Sequence, residues 1–273
     1  MTLHTGVEGR FYPADAKVLH ATLDCLFTSC GGKPSVSTRF SGRVGSIIPH
    51  AGYAYSGRCA AHAYAALASL GRPDCVYILA PSHTGKGSAF TLQPFSTPLG
   101  SLRVENDIVN QLSKATGIPI NDSAHASEHA IAVHIPFLRY VYGDVPIVPL
   151  VLDVVDVHMI AGHLANRSGL FIASSDFTHY GTAFDYLPFT ADAPKRIKAL
   201  DEDIFALIQR GDANTFIASV HKNGWTVCGA YPIGVLMALF GGKVRMVCHY
   251  SSADVTGDVS HIVDYVSAIF DAD

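Results

Sequence analysis

Two hydrophobic periods alternate along the chain. From Asp15 to Phe27 the apolar residues fall at Val18, Leu19, Leu23, Leu26 and Phe27, the spacing of a helix with one buried face. Short unbroken apolar runs then recur at Val44 to Pro49, Val76 to Ala80, Val145 to Leu152 and Leu170 to Ser174. Runs of that length read as strands covered on both faces. Helical patterns lie between them at about Glu105 to Thr116 and Val155 to Asn166. Ser56 stands where it would cap an alanine-rich helix running to about Leu70. Residues 89–104 read as a strand pair turning near Thr97-Pro98-Leu99-Gly100, and Glu128 to Tyr142 as helix with mixed periodicity. Gly31 to Ser37 is a loop. Helices at Ala193 to Gln209, Ala213 to His221 and Gly229 to Phe240, then strands at Val244 to Tyr250 and Ile262 to Ile269, complete the pattern.

Buried strands alternating with helices predict an α/β sheet covered on both faces. No internal repeat or long linker divides the chain, so residues 1–273 read as a single domain. Composition agrees: 49% apolar against 15% charged residues excludes disorder. The net charge is −4, and the densest basic run is only Lys195, Arg196 and Lys198, so no nucleic-acid partner is expected. Every apolar stretch is broken well before the roughly 18 residues that a membrane span needs. Met1 to Tyr12 lacks the basic start and apolar run of a secretory leader. Together with six dispersed cysteines, this favours reduced thiols and a cytoplasmic setting.

Histidine, at 14 residues, is the unusual count, and its placement carries the chemistry. Three predicted strands end in polar residues of one kind: one stops at His50, one reaches His83, and one reaches Asp176 and His179. In α/β sheets ligands bind outside the carboxyl ends of strands, so neighbouring strands would bring these side chains to one rim. Any one of them alone is more often a hydrogen-bonded structural group. Asp176-Phe177-Thr178-His179 would place carboxylate and imidazole on one face of a helical turn, suited to acid–base work. Cys228 precedes an apolar helix whose N-terminus would favour thiolate, although spacing alone reads it as a small buried residue. Glu128-His129 is a second acidic–basic pair, balanced between supporting a ligand and starting a helix. Tyr53 and Tyr55 line a pocket or simply pack.

Other chemistries drop out. There is no CxxC pair, no GxGxxG and no GxSxG elbow. Gly85-Lys86-Gly87-Ser88 lacks the first P-loop glycine, whose place is held by Ala80.

The ordered motifs Gly9-Arg10-Phe11-Tyr12-Pro13, Pro49-His50-Ala51-Gly52-Tyr53, Ser56-Gly57 and Pro81-Ser82-His83 resemble the Memo family. Thr97-Pro98-Leu99-Gly100, Glu128-His129, Pro136-Phe137-Leu138, Ser174 to Tyr180 and Cys228-Gly229 continue the likeness over nearly the whole chain. The family includes the AmmeMemoRadiSam system protein B proteins. The resemblance implies a central mixed sheet flanked by helices, like that of class III extradiol dioxygenases, non-haem Fe(II) enzymes with two histidines and a glutamate on iron. Carried over by motif, His50 and His83 match the histidine ligands, Cys228 takes the glutamate's place, and His179, with Asp176 beside it, matches the acid–base histidine.

Two departures follow. A thiolate makes the site softer, so Fe(II), Cu and Zn all fit and ring cleavage does not carry over. A Glu-x-x-x-Glu spacing is interrupted, since Ala132 stands four after Glu128. The expected functions are an iron oxidoreductase acting on an unknown small molecule with O₂, an adaptor that keeps the fold, or a zinc hydrolase. The resemblance supports the adaptor through animal relatives linked to signalling and peptide binding. It also implies radical SAM and AMMECR-like partners, with which prokaryotic members travel.

Overall fold

The structure, a computed structural model, describes Leu3 and residues 5–271, so the leader reading over Met1 to Tyr12 and the two ends of the 1–273 span fall partly outside the described residues. Eight strands form one mixed sheet: β1 (Arg43–Ile48), β2 (Val76–Pro81), β3 (Ala89–Phe90), β4 (Ile147–Leu152), β5 (Gly169–Ser174), β6 (His179–Tyr180), β7 (Val244–Ser251) and β8 (Ile262–Phe270). Its centre is parallel, in the order β1, β5, β2, β4, with Ile48 opposite Ser174 and Leu79 opposite Ala173. β8 adds antiparallel to β1, and β6 and β7 pair antiparallel with β8. β3 closes the other edge against β4. Every residue of β2, β4 and β5 is buried, which is why their sequences run apolar without alternation.

Among the described residues, nine helices of eight or more residues or of direct bearing on the site flank this sheet: α1 (Ala16–Thr28), α2 (Tyr53–Ala68), α3 (Asn106–Thr116), α4 (His129–Ala132), α5 (His134–Tyr142), α6 (Val157–Leu164), α7 (Ala193–Gln209), α8 (Ala213–Asn223) and α9 (Ala230–Phe240). α2 packs on α1, β7 and β8, while α9 packs on β2, β5, α6 and α8. Several boundaries carry a visible cause. Asp15 caps α1 through hydrogen bonds from the Lys17 and Val18 amides, and Asp156 caps α6 in the same way.

Three local readings change. α2 begins at Tyr53 rather than after Ser56, because the Tyr53 amide donates to the Phe11 carbonyl at 2.8 Å and so needs no side-chain cap. Ser56 lies within the first turn, its hydroxyl donating to the Ala51 carbonyl. In the 89–104 segment the hairpin is Phe95–Thr97 with Gly100–Leu102, and Ala89–Phe90 joins the main sheet instead. Asp176 to His179 is not a helical turn. The Phe177 amide donates to the Asp264 carbonyl and the Asp264 amide to the Thr178 carbonyl, so β8 holds this segment extended.

Candidate metal centre

The carboxyl ends of β1, β5 and β2 lie side by side, and they deliver His50, Asp176 and His83 to one rim. The His50 and His83 rings meet edge to face, 5.1 Å between centroids. Cys228 arrives from the loop before α9. Gly229 makes that approach possible: a Cβ there would stand 2.5 Å from the Ser174 carbonyl oxygen and 2.4 Å from the Ser175 Cβ. With only hydrogen at this position, the Gly229 amide donates to Ser175 Oγ and Cys228 Sγ comes within 3.3 Å of the Asp176 amide. One ligand atom each from His50, His83 and Cys228 lies within 4.8 Å of the others.

Hydrogen bonds assign the ring protons of these histidines. Ser174 Oγ is 2.7 Å from the Ala130 carbonyl, which can only accept, so the hydroxyl proton points there. His50 Nδ1 and His134 Nε2, each 2.8 Å from the same oxygen, must then both donate to it. That leaves His50 Nε2 with its lone pair free, 3.3 Å from Cys228 Sγ. His134 Nδ1 in turn accepts from the Tyr64 hydroxyl at 3.0 Å. His83 Nδ1 donates to Glu128 Oε1 at 2.9 Å, and His179 Nδ1 donates to the Thr226 carbonyl at 2.9 Å. In His50, His83 and His179 alike the free atom is Nε2. A ligating histidine ordinarily shows this arrangement, with its other nitrogen tied to a carboxylate, a carbonyl or a hydroxyl.

Electrostatics follow from burial. Burial pushes the His50 pKa well below its ordinary value, and the neighbouring histidines push it further, so the ring is neutral and able to ligate. His134 falls to about 3 through burial. Burial raises the Cys228 thiol, and the nearby Asp176 carboxylate adds to this, against the opposing hydrogen bonds from backbone amides. The helix N-terminus therefore does not make a thiolate here without a cation; with Nε2 as acceptor, the thiol proton is directed at His50. Burial opposes ionisation of Glu128, yet hydrogen bonds from the His83 ring and from the His83 and Ala130 amides bring it below the ordinary carboxylate range. Asp176 is raised by burial, although His179 and the His50 and Ala51 amides oppose the shift.

Glu128 is thus both the cap of α4 and the holder of His83. His129 stacks between Phe11 at 4.6 Å and His83 at 4.6 Å, and burial lowers it to about 4. Tyr53 is buried, donates to the Val133 carbonyl, and lines a cleft of about 530 Å³ with Arg10, Phe11 and Cys25. Tyr55 is exposed. Ser174, His134, Tyr64 and Thr226 hold the histidines and were not singled out by sequence, since nothing in spacing marks a hydroxyl or carbonyl that only the folded sheet brings to a ring.

A second buried cluster, Asp201, His249 and Asp264, also gathers ligand atoms within 4.8 Å. Hydrogen bonds already engage all three residues. Thr178 donates to Asp201 through both its hydroxyl and its amide, His249 Nε2 meets Asp264 Oδ2 at 2.7 Å, and the two carboxyl groups share a hydrogen bond.

The His50, His83 and Cys228 set suits a soft or borderline divalent cation. Metal–nitrogen and metal–sulfur bonds of about 2.1 and 2.3 Å around a tetrahedral ion put the two ligand atoms about 3.6 Å apart, close to the 3.3 Å seen between His50 Nε2 and Cys228 Sγ.

Comparison with known proteins gives the family. The family described as Memo-like protein matches residues 4–269. A MEMO1 family protein of Thermococcus onnurineus is 32% identical over 294 aligned residues, covering 99% of both chains. Those of Methanopyrus kandleri and Methanobrevibacter smithii are 33% and 34% identical, with 97% of this chain covered in each case. With a family model matched over residues 4–269 and relatives covered almost end to end, the chain belongs to the Memo family.

Proposed function

We propose that His50, His83 and Cys228 hold one metal ion, Fe(II) first, and that the protein is an oxidoreductase acting on a small molecule with O₂. The observation that carries this reading is the common orientation of the ring nitrogens: His50 and His83 each keep Nε2 free toward the cluster, while Ser174 and Glu128 fix Nδ1. When bound, such an ion would supply a Lewis acid and a redox centre. The chain's own residues do the rest. Cys228 gives up its proton on binding, and the Asp176 amide then supports the sulfur's charge. His179 presents Nε2 as the acid–base group, with its other nitrogen fixed on the Thr226 carbonyl.

The test is O₂ consumption by iron-loaded protein across a panel of phenolic and reduced small molecules, for wild type and His179→Ala. The reading expects uptake in wild type, loss of that uptake in the variant, and equal iron in both. Uptake indifferent to the substitution removes His179 from the chemistry. Tight zinc with no oxygen sensitivity moves the reaction to hydrolysis.

A further inference from the structure

Outside the metal-ligand cluster, two thiols meet in the seam between α2 and β7. Cys59 is fully buried on α2, its sulfur 3.6 Å from the Cys248 carbonyl and 3.6 Å from the Tyr265 carbonyl. Its amide donates to the Tyr250 hydroxyl, which itself donates to the Tyr55 carbonyl, so the residue is clamped from both sides. Cys248 lies on β7 where the pairing with β8 shifts register after Met246, and it remains partly exposed. Cys248 packs against the cluster formed by Cys59, Tyr250 and Tyr265. Arg58, held 4.4 Å over the Tyr250 ring, brings a positive charge to the same spot. The neighbouring Cys59 thiol, and then Arg58 and His249 against the burial penalty, bring the Cys248 thiol down to about 7, while burial pushes Cys59 up. One thiol is therefore partly exposed and easily ionised, and the other is protonated, enclosed and packed against Cys248. That is the division of labour between an attacking and a resolving thiol.

We propose that Cys59 and Cys248 form a hydroperoxide-sensitive dithiol that closes to a disulfide tying α2 to β7. The Cys248 thiolate attacks one hydroperoxide oxygen, forming an S–O bond as the O–O bond breaks. The departing oxygen takes a proton and leaves as water or alcohol, and Cys248 becomes a sulfenic acid. The Cys59 sulfur then attacks the Cys248 sulfur; the S–S bond forms, the S–O bond breaks, and water leaves with the Cys59 proton. The peroxide gains two electrons, one from each thiol. The new bond anchors the helix that begins three residues after His50, so oxidation stiffens the wall beside the metal-ligand cluster.

The experiment treats full-length protein with stoichiometric hydrogen peroxide in the presence of a chelator, and blocks remaining thiols under denaturing conditions. Peptides are then mapped by mass spectrometry without reductant. A Cys59–Cys248 linkage is expected, reversed by dithiothreitol and retained in Cys228→Ser and Cys30→Ser. Cys59→Ser should instead carry Cys248 on to sulfinic acid. Cys248→Ser, a change at a partly exposed position, should leave Cys59 fully alkylatable. Cys248 joined to Cys30, sulfinic acid forming as readily in wild type as in Cys59→Ser, or both thiols still free after treatment would overturn the proposal.

Discussion

Ser174 Oγ lies 2.8 Å from His50 Nδ1, and because its own proton is committed to the Ala130 carbonyl it can only accept from that ring. One serine at the end of β5 thereby decides which nitrogen of His50 is offered to a cation, and it does the same for the proton on His134. A hydroxyl group, rather than the ring alone, sets which nitrogen of His50 is left without a proton.

Ser174→Ala strips the acceptor from two buried ring N–H groups at once. Each unsatisfied donor costs about 1–3 kcal/mol, and loss of a ligand's supporting hydrogen bond typically lowers metal affinity about 10–100-fold. Chemical denaturation of the metal-free protein and a competitive metal titration measure the two effects separately. A variant as stable and as tight-binding as wild type would show that the tautomer is held by something else.

Glu128 combines two duties that substitutions can separate. Glu128→Gln keeps a side-chain oxygen for the Ala130 amide at the start of α4 but removes the charge facing His83. Metal affinity should fall about 10–100-fold by the same supporting-bond argument. Glu128→Ala should also lose the cap, about 0.5–2 kcal/mol. Equal metal affinity for the Gln variant and wild type would remove the carboxylate from the account.

Metal binding should tighten as pH rises. Cys228 is protonated in the metal-free fold because burial and Asp176 hold its pKa above the ordinary thiol value, so each binding event must release that proton. His50 is already neutral and adds no opposing demand. A titration across neutral pH, read together with proton release into weak buffer, checks the sign; affinity independent of pH would mean that Cys228 is not a ligand.

Asp201 makes stability fall with pH. Burial and the adjacent Asp264 raise its pKa well above the ordinary carboxylate value, so the folded chain keeps a proton that the unfolded chain releases. The contribution is complete below the unfolded pKa of about 3.9 and is lost as pH rises through the folded value. Asp201→Asn keeps a hydrogen donor toward Asp264 and removes the titration. Unfolding free energy measured against pH should have a flatter slope in the variant, and parallel curves would place the shared proton elsewhere.

Much of this architecture can be read in the sequence, for a physical reason. Strands buried on both faces must be apolar throughout, so the polar residues that end them, His50, His83 and Asp176, stand out even in one dimension. Their meeting requires the order β1, β5, β2, which is a tertiary fact. Local patterns failed where distant backbone won. Phe11 satisfies the start of α2, which made a cap at Ser56 unnecessary, and β8 draws Asp176 to His179 into extended pairing although their spacing suits a helical turn. Cys228 illustrates the limit best: its place before an apolar helix favours thiolate while its spacing reads as a small buried residue, and only the packing of Gly229 against Ser174 and Ser175 shows what surrounds the sulfur and raises its pKa. The Memo resemblance implied a role as a ligand, and the fold brings its sulfur within 4.8 Å of ligand atoms on His50 and His83.

The most direct measurement is elemental analysis of protein purified without oxygen, for wild type and Cys228→Ser. The account predicts close to one iron per chain in wild type and its loss in the variant, with the variant still folded by circular dichroism. Metal retained in full by Cys228→Ser, or no metal bound by wild type even after reconstitution with Fe(II), Cu(I) or Zn(II), would contradict a centre built on His50, His83 and Cys228.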